Sequence, residues 1–329
     1  MPRTIQAQHD RFALSRPFRI SRGVKTAADV VSVTLRDGDA VGRGEGVPYP
    51  RYGESIETAL AAIDTIRPAI ERGASREALL TLMPAGAARN AVDCALWDLE
   101  ARLSGTDVAA MIGAPAPGCI ASALTIVIDT PAAMAEAAAM VAYAPLLKVK
   151  VDALDPVAQI RAVRSASPEC ALIVDPNESW DQVLVEGMQP LLVELRVALL
   201  EQPVPAGADA WLEGFTPAVP ICADESFHVA DDLGAVARRY GAVNVKLDKA
   251  GGLTAALEIA RAARAAGLGL MAGCMVSSSL SIAPALHLAV ISDFVDLDGP
   301  LWLVDDRHGG VWNERGMLAP PTAGFWGTR

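Results

Sequence analysis

Lys148 and Lys150 stand one residue apart in the run Leu146-Leu147-Lys148-Val149-Lys150-Val151. The run has the apolar, β-branched composition of a strand, and side chains two apart on a strand share a face. Two ammonium groups therefore sit side by side, roughly 7 Å apart at their bases. Lysines that blunt an exposed sheet edge would explain a single such strand. Further along, however, ionisable residues close one apolar run after another: Asp175 in ALIVD, Glu201 in VALLE, Asp224 in PICAD, Lys246 in VNVK, then Asp296 and Asp298 in FVDLD. From Lys150 to Lys246 the steps are 25, 26, 23 and 22 residues, and Asp296 follows Lys246 by 50.

Three carboxylates that converge need a cation. With neither Cys nor His among Asp175, Glu201 and Asp224, the oxygen set favours Mg²⁺ (or Mn²⁺) over Zn²⁺. The competing reading is a structural network of ion pairs with the lysines. A lysine becomes a working base when its pKa falls from about 10.4 to about 7–8. Repulsion of roughly 2.4 kcal/mol from Lys148, at 7 Å and a dielectric of ~20, would supply over half of that fall at Lys150. Lys246 ends a strand four strands away. Two bases on opposite sides of a metal-bound carboxylate suit removal of an α-proton from one face and its return to the other, with the metal stabilising the enediolate between. That chemistry is racemisation or epimerisation.

Such convergence requires a particular scaffold. Short apolar runs near 121–128, 146–151, 171–175, 197–201, 219–223, 242–246, 268–272 and 293–297 alternate with Ala-rich helical stretches. Each neighbouring pair is expected to be separated by one helix. Alternation of this kind gives a parallel sheet, and eight units give an α/β barrel of the TIM type. An open doubly wound sheet would carry a glycine fingerprint after its first strand. The near match, Gly42-Arg43-Gly44-Glu45-Gly46, lies instead in a hairpin. A closed barrel has no edge strand, so the edge explanation of the paired lysines fails, and strand C-termini share one mouth. Before the barrel, DVVSVTLRDGDAVGRGEG reads as a hairpin turning at Asp37-Gly38, followed by two amphipathic helices, the second stopped by Gly105. Residues 1–117 are thus expected to form an α+β capping domain, with Pro115-Ala116-Pro117-Gly118 as linker.

The bulk composition agrees. At 329 residues, 52% hydrophobic and 20% charged, the chain can bury a large core. A net charge of −11 argues against nucleic acid or an anionic membrane as partner. Five scattered cysteines without a CxxC pair, and an N-terminus lacking the apolar core of a signal peptide, suggest a reduced, cytoplasmic protein.

Taken together these residues resemble the enolase superfamily in its muconate-lactonizing subgroup, over essentially the whole chain. The subgroup pairs Lys-x-Lys on the second barrel strand with a lysine on the sixth, and holds its metal from strands three, four and five. Here those positions are Lys148, Lys150, Lys246, Asp175, Glu201 and Asp224. PYPRYGES, PAGAARNAVDCALWDL, DPNESW, LEQPVP, ADES and KLDKAGGLT are similar, more particularly, to bacterial dipeptide epimerases acting on L-Ala-D/L-Glu. The resemblance implies a modified (β/α)7β barrel over 118–300, a tail over 301–329 that returns to the cap, Mg²⁺ as cofactor, and 1,1-proton transfer on a dipeptide. It further implies that Asp296 and Asp298 receive the substrate's ammonium, pointing to one side as i and i+2 on the eighth strand. In FRISRGVKT, Arg22 or Lys25 would meet the distal carboxylate of a glutamyl side chain, and PYPRYGES would help close the site. Peptidoglycan recycling is the corresponding pathway, and a homo-oligomer is left open.

Related members run N-acylamino-acid racemisation or muconate-type cycloisomerisation on the same lysines. Outside the family, a Schiff-base aldolase would use a barrel lysine without needing three carboxylates, and a binding protein would need no paired bases. Of the remaining residues, Asp248 is expected to orient Lys246, Glu178 and Glu225 to be supporting, and Ser277-Ser278-Ser279 to cap a helix. His9, His228, His287 and His308 show no spacing for a metal or a triad.

Overall fold

The computed structural model describes residues 2–327. Three antiparallel strands come first: β1 (Thr4–Ile20), β2 (Gly23–Asp37) and β3 (Ala40–Gly46), in that spatial order. The β2–β3 turn is Gly38-Asp39, one residue beyond the expected Asp37-Gly38, because Asp37 pairs with Ala40 and Gly38 takes the left-handed φ of +60°. Sequence patterning missed β1, whose alternating exposed polar residues carry little apolar signal. Helices α1 (Ile56–Glu71), α2 (Arg76–Leu82), α3 (Ala87–Ser104) and α4 (Val108–Ile112) follow. A capping box starts α1: Ser55 Oγ accepts from Thr58 N at 3.2 Å, and Thr58 Oγ1 accepts from Ser55 N at 2.9 Å.

The glycines of GRGEG have a packing role. Gly42, Gly44 and Gly46 fall on one face of β3, where any Cβ would overlap the carbonyl oxygens of Ala95, Ala91 and Ala87 on α3. A stripe of Gly at i, i+2, i+4 meets a stripe of Ala at i, i+4, i+8, and the helix lies directly on the sheet.

Next come β4 (Ile120–Ala121) and then the barrel strands: β5 (Leu124–Ile126), β6 (Leu146–Lys150), β7 (Ala171–Asp175), β8 (Val197–Glu201), β9 (Ile221–Ala223), β10 (Ala242–Lys246), β11 (Gly269–Gly273) and β12 (Phe294–Asp296). Among the described residues β5–β12 form one sheet in sequential order with parallel pairings. Ala123 N donates to Val295 O at 2.8 Å and Leu297 N to Ser122 Oγ at 2.9 Å, joining the last strand to the first. Ala123, Leu146, Ile173, Leu199, Cys222, Ala242, Met271 and Phe294 plug the floor of the interior. The fold is therefore a cap plus a near-closed eight-stranded barrel, as expected.

Helices α5 (Pro131–Met140), α6 (Pro156–Ala166) and α7 (Gln182–Glu194) connect β5 to β8. Thr130, Asp155 and Asp181 cap them, accepting from the backbone N–H three residues on. The expectation of one helix per unit then fails. Between β8 and β9 there is only a 3-10 turn, Ala210–Leu212, in a stretch broken by Pro203, Pro205, Pro217 and Pro220. Between β9 and β10 there is only a 3-10 turn and the single turn α8 (Leu233–Val236). Regular alternation resumes with α9 (Leu247–Ala250), α10 (Leu253–Ala265) and α11 (Ser279–Ala289). Near the end, β13 (Trp312–Glu314) pairs with β14 (Met317–Ala319), which pairs with β4. The tail then meets the cap: Gly327 N donates to Asp98 Oδ1 at 2.7 Å, and Trp326 Nε1 to Arg43 O at 3.0 Å. Among the described residues no helix is long and apolar enough to cross a membrane.

Candidate active site

Strand periodicity places the chemistry. On β6, Leu147 and Val149 face the surrounding helices, while Leu146, Lys148 and Lys150 face the barrel axis, Leu146 in the floor. Asp175 pairs in register with Lys150, and Glu201 ends β8. Asp224 lies one residue beyond β9, and Lys246 ends β10 opposite β6 in the strand order. A cavity of about 240 Å³ opens above them, lined by Lys148, Lys150, Asp224, Lys246, Asp296 and Asp298 and roofed by cap residues including Lys25 and Tyr49.

The charges are densely paired. Lys148 Nζ lies 3.1 Å from Asp175 Oδ2, 2.8 Å from Glu201 Oε2 and 2.8 Å from Asp296 Oδ2. Lys150 Nζ donates to Asp175 Oδ2 at 2.5 Å, and Lys246 Nζ to Asp224 Oδ2 at 2.7 Å. One carboxylate oxygen thus touches both Lys148 and Lys150, which offsets the bare lysine–lysine repulsion expected from sequence. Burial opposes an ammonium at Lys148, but Asp296, Glu201 and Asp175 outweigh it and raise its pKa well above the ordinary value. At Lys246 Asp224 does the same. Burial pushes Glu201 up to about 7, with Asp175 adding repulsion. Burial would also raise Asp175 and Asp224, yet lysines hold both below the usual range: Lys150 and Lys148 for the first, Lys246 and Lys249 for the second.

Asp175, Glu201 and Asp224 are all fully buried. Among the described residues no three Asp, Glu, His or Cys side chains are already gathered in ligand geometry, since each carboxylate turns to an ammonium. Their chemistry nonetheless fits a hard dication. The donors are all oxygens at the ends of adjacent strands, and buried Glu201 Oε2 has no hydrogen-bond partner. Lys148 approaches that atom without hydrogen-bond geometry, donating to Oε1 instead.

Asp298 departs from the expected i, i+2 arrangement. β12 ends at Asp296, and Asp298 (φ −85°, ψ 5°) begins a 3-10 turn, so strand alternation does not orient it. The turn still brings it to the cavity. Its Oδ2 accepts from Thr125 N at 2.8 Å and Trp302 Nε1 at 3.3 Å, while burial and then Asp296 push its pKa up to about 6. Asp296 Oδ1, also buried, has no hydrogen-bond partner.

In the cap, Arg22 and Lys25 separate. Arg22 sits at the tip of the β1–β2 hairpin and is committed to barrel acids, 2.9 Å from Glu178 Oε2 and 2.5 Å from Glu225 Oε1. Lys25 lies over the Tyr49 ring, 4.5 Å from its centroid, and burial lowers its pKa. Among the described residues it makes no ion pair.

Asn244 and Asn177 escaped the sequence reading, whereas Glu178, Glu225, Asp248 and Ser278 were named there and now receive definite partners. Glu178 receives Arg22, Arg51 (2.8 Å) and the Ala206 N–H (2.8 Å), tying both cap loops to the barrel. Glu178 and Asn177 both have left-handed backbones (φ 68° and 47°), a local strain of the kind that collects at working sites. Glu225 lines the cavity beside Asp224, because β9 stops before Asp224 and strand alternation no longer sends neighbouring side chains to opposite faces. Asn244 donates to Glu201 Oε1 at 2.9 Å; its position two residues before Lys246 would have revealed it. Asp248 does not touch Lys246. It belongs to α9, and Oδ1 accepts from Val47 N (2.9 Å) and Asn90 Nδ2 (2.8 Å) of the cap. Ser278 caps α11, its Oγ accepting from Leu280 N at 3.2 Å.

Residues 3–113 match the mandelate racemase / muconate lactonizing enzyme N-terminal domain, and residues 132–324 match the enolase C-terminal domain-like family. The chain belongs to the enolase superfamily. The L-Ala-D/L-Glu epimerase of Escherichia coli (strain K12) is 48% identical, covering 96% of this chain and 99% of that one. An N-acetyl-D-glutamate racemase of Pseudoalteromonas sp is 43% identical over 91% of this chain and 95% of its own. Among solved structures, an enolase family member from Agrobacterium tumefaciens with homology to dipeptide epimerases, holding sodium and L-Ala-L-Glu, superposes with a TM-score of 0.97 at 47% identity, covering 99% and 100% of the two chains. The Methylococcus capsulatus dipeptide epimerase with Mg and L-Arg-D-Lys gives a TM-score of 0.87 at 33% identity, with 98% of each chain covered. The chain is an isomerase of the enolase superfamily.

Proposed function

We propose that this enzyme epimerises dipeptides of the L-Ala-D/L-Glu kind by moving one α-proton between two lysines, with Mg²⁺ as cofactor. The observation that carries the reading is the placement of Lys150 and Lys246 on opposite walls of one small cavity, each backed by an acidic strand end. Asp175, Glu201 and Asp224 are the residues to hold the cation. When bound, Mg²⁺ would offset the negative charge that builds on the substrate carboxylate and draw the acids away from the lysines.

The chain's own groups then divide the work. Lys150 takes or returns the α-proton on one face and Lys246 on the other, so loss and return from opposite sides invert the centre. Lys148, tied to Glu201 and Asp296, positions the substrate carboxylate. Asp296, which lines the cavity and whose buried Oδ1 has no hydrogen-bond partner, and Asp298 receive the dipeptide's ammonium. Lys25 meets the distal carboxylate, being unpaired where Arg22 is already held by Glu178 and Glu225. Arg22 instead keeps the hairpin closed over the cavity and excludes water. A cytoplasmic place in peptidoglycan recycling accords with such a substrate.

An N-acylamino-acid racemase is the second reading, favoured by the N-acetyl-D-glutamate racemase among the relatives. Incubation of a dipeptide library and N-acetylglutamate with enzyme and Mg²⁺ in D₂O, read by mass spectrometry, separates the two. Deuterium should enter Ala-Glu dipeptides faster than N-acetylglutamate, and Asp296→Asn should slow the dipeptides while sparing the acylated amino acid. A wild-type preference for N-acetylglutamate would replace the dipeptide reading with the racemase.

A further inference from the structure

Lys249 is buried behind the mouth, beyond the strand that ends at Lys246, on the short helix α9. Its ammonium donates to Asp224 Oδ1 at 2.6 Å, Asp224 O at 2.6 Å and Asn244 O at 3.0 Å. An ammonium has three donors, so none is left for a ligand. Asp224 Oδ2 is turned the other way, toward Lys246 on the cavity wall. The two oxygens of one carboxylate are thereby given different tasks: Oδ1 is clamped from behind, and Oδ2 is presented.

Burying an ammonium beside a site meant for a dication is electrostatically costly. A neutral donor would satisfy one carboxylate oxygen at less expense. What the ammonium adds is a fixed triangle of contacts that locks the side chain, its own carbonyl and the neighbouring strand together. Asn244 does something parallel for the adjacent acid, donating Nδ2 to Glu201 Oε1 and leaving Oε2 without a hydrogen-bond partner. Gly273 makes room for that amide, since a Cβ there would overlap it.

We propose that Lys249 is a positioning residue that fixes Asp224 as a one-oxygen donor and thereby sets which cation the site prefers. The inference rests on the reading of Asp175, Glu201 and Asp224 as cation ligands. Mg²⁺ requires near-octahedral geometry at about 2.0–2.1 Å, whereas Ca²⁺ accepts roughly six to eight oxygens at about 2.3–2.6 Å, including both oxygens of one carboxylate. With Oδ1 clamped, Asp224 offers the geometry suited to the smaller ion. Released, it can turn and offer both oxygens, which favours the larger.

The test is calorimetric titration of Mg²⁺ and of Ca²⁺ into metal-free wild type and Lys249→Met, which keeps side-chain length without donors. Circular dichroism checks that the variant folds. The ratio of Mg²⁺ to Ca²⁺ affinity should fall threefold or more in the variant. A smaller fall overturns the inference, whether both affinities hold or both decline together, because Lys249 would then be merely structural. Should the methionine variant not fold, Lys249→Leu, which also lacks a donor, is titrated in its place, and the same threefold criterion applies. A wild type that takes up neither ion would sink the ligand reading itself, and this inference with it.

Discussion

Lys148→Met removes an ammonium that touches three buried acids. Lys148 is 2% exposed, and its Nζ lies within 3.1 Å of Asp175, Glu201 and Asp296. Asp175 keeps Lys150 and Glu201 keeps the Asn244 amide, but Asp296 loses its ion-pair partner. Removing one partner of a buried pair typically costs about 3–5 kcal/mol, because the remaining charge stays desolvated. At roughly 2 °C per kcal/mol for a chain of this size, the metal-free variant should melt roughly 6–10 °C below wild type. Mg²⁺ would return positive charge to two of the three acids. At one fixed Mg²⁺ concentration, the rise in Tm should therefore be larger for the variant than for wild type. Differential scanning calorimetry with and without Mg²⁺ reads both effects. A metal-free loss below about 1 kcal/mol, or a Mg²⁺ response no greater than that of wild type, would refute this account of the network.

Two further outcomes follow from other parts of the molecule. Glu201 has its pKa pushed up to about 7 by burial and by Asp175, above the ordinary carboxyl value, so the folded metal-free state holds this proton more tightly than the unfolded chain. Its contribution to stability therefore falls as pH rises from the ordinary carboxyl pKa to about 7. A cation must displace that proton, so Mg²⁺ affinity should climb up to about tenfold per pH unit below 7 and level off above; calorimetry showing no change between pH 5.5 and 7 would contradict it. In the cap, Gly44→Val places a side chain against the Ala91 carbonyl of α3 and should cost at least about 1–3 kcal/mol in thermal unfolding, whereas Gly118→Val, in open space, should change stability by less than about 0.5 kcal/mol.

The barrel was readable from sequence because its strands are short, apolar and closed by charges at near-constant intervals. The floor residues and the inward lysines of β6 obey the two-residue period, so Lys148, Lys150, Asp175, Glu201 and Lys246 fall where alternation puts them. Legibility stops where the strand does. Asp224, Glu225 and Asp298 lie past the last paired residue, and their directions come from turns that periodicity does not describe. The cap was less legible still. β1 is mostly solvent-facing, and Arg22 and Lys25 look alike in sequence until Glu178 and Glu225, more than 150 residues away, claim one of them. Asp248 illustrates the same limit. Its proximity to Lys246 in the chain suggested a partnership, but a helical turn sends it to Val47 and Asn90.

The central claim is that two lysines serve opposite faces of one carbon. Lys150→Ala and Lys246→Ala should each be incubated in D₂O with L-Ala-L-Glu and, separately, with L-Ala-D-Glu, following the α-proton by NMR. The account predicts that neither variant interconverts the epimers, and that each washes deuterium into one epimer only, the two variants choosing opposite ones. Equal exchange of both epimers by either variant, or epimerisation surviving at the wild-type rate, would contradict it.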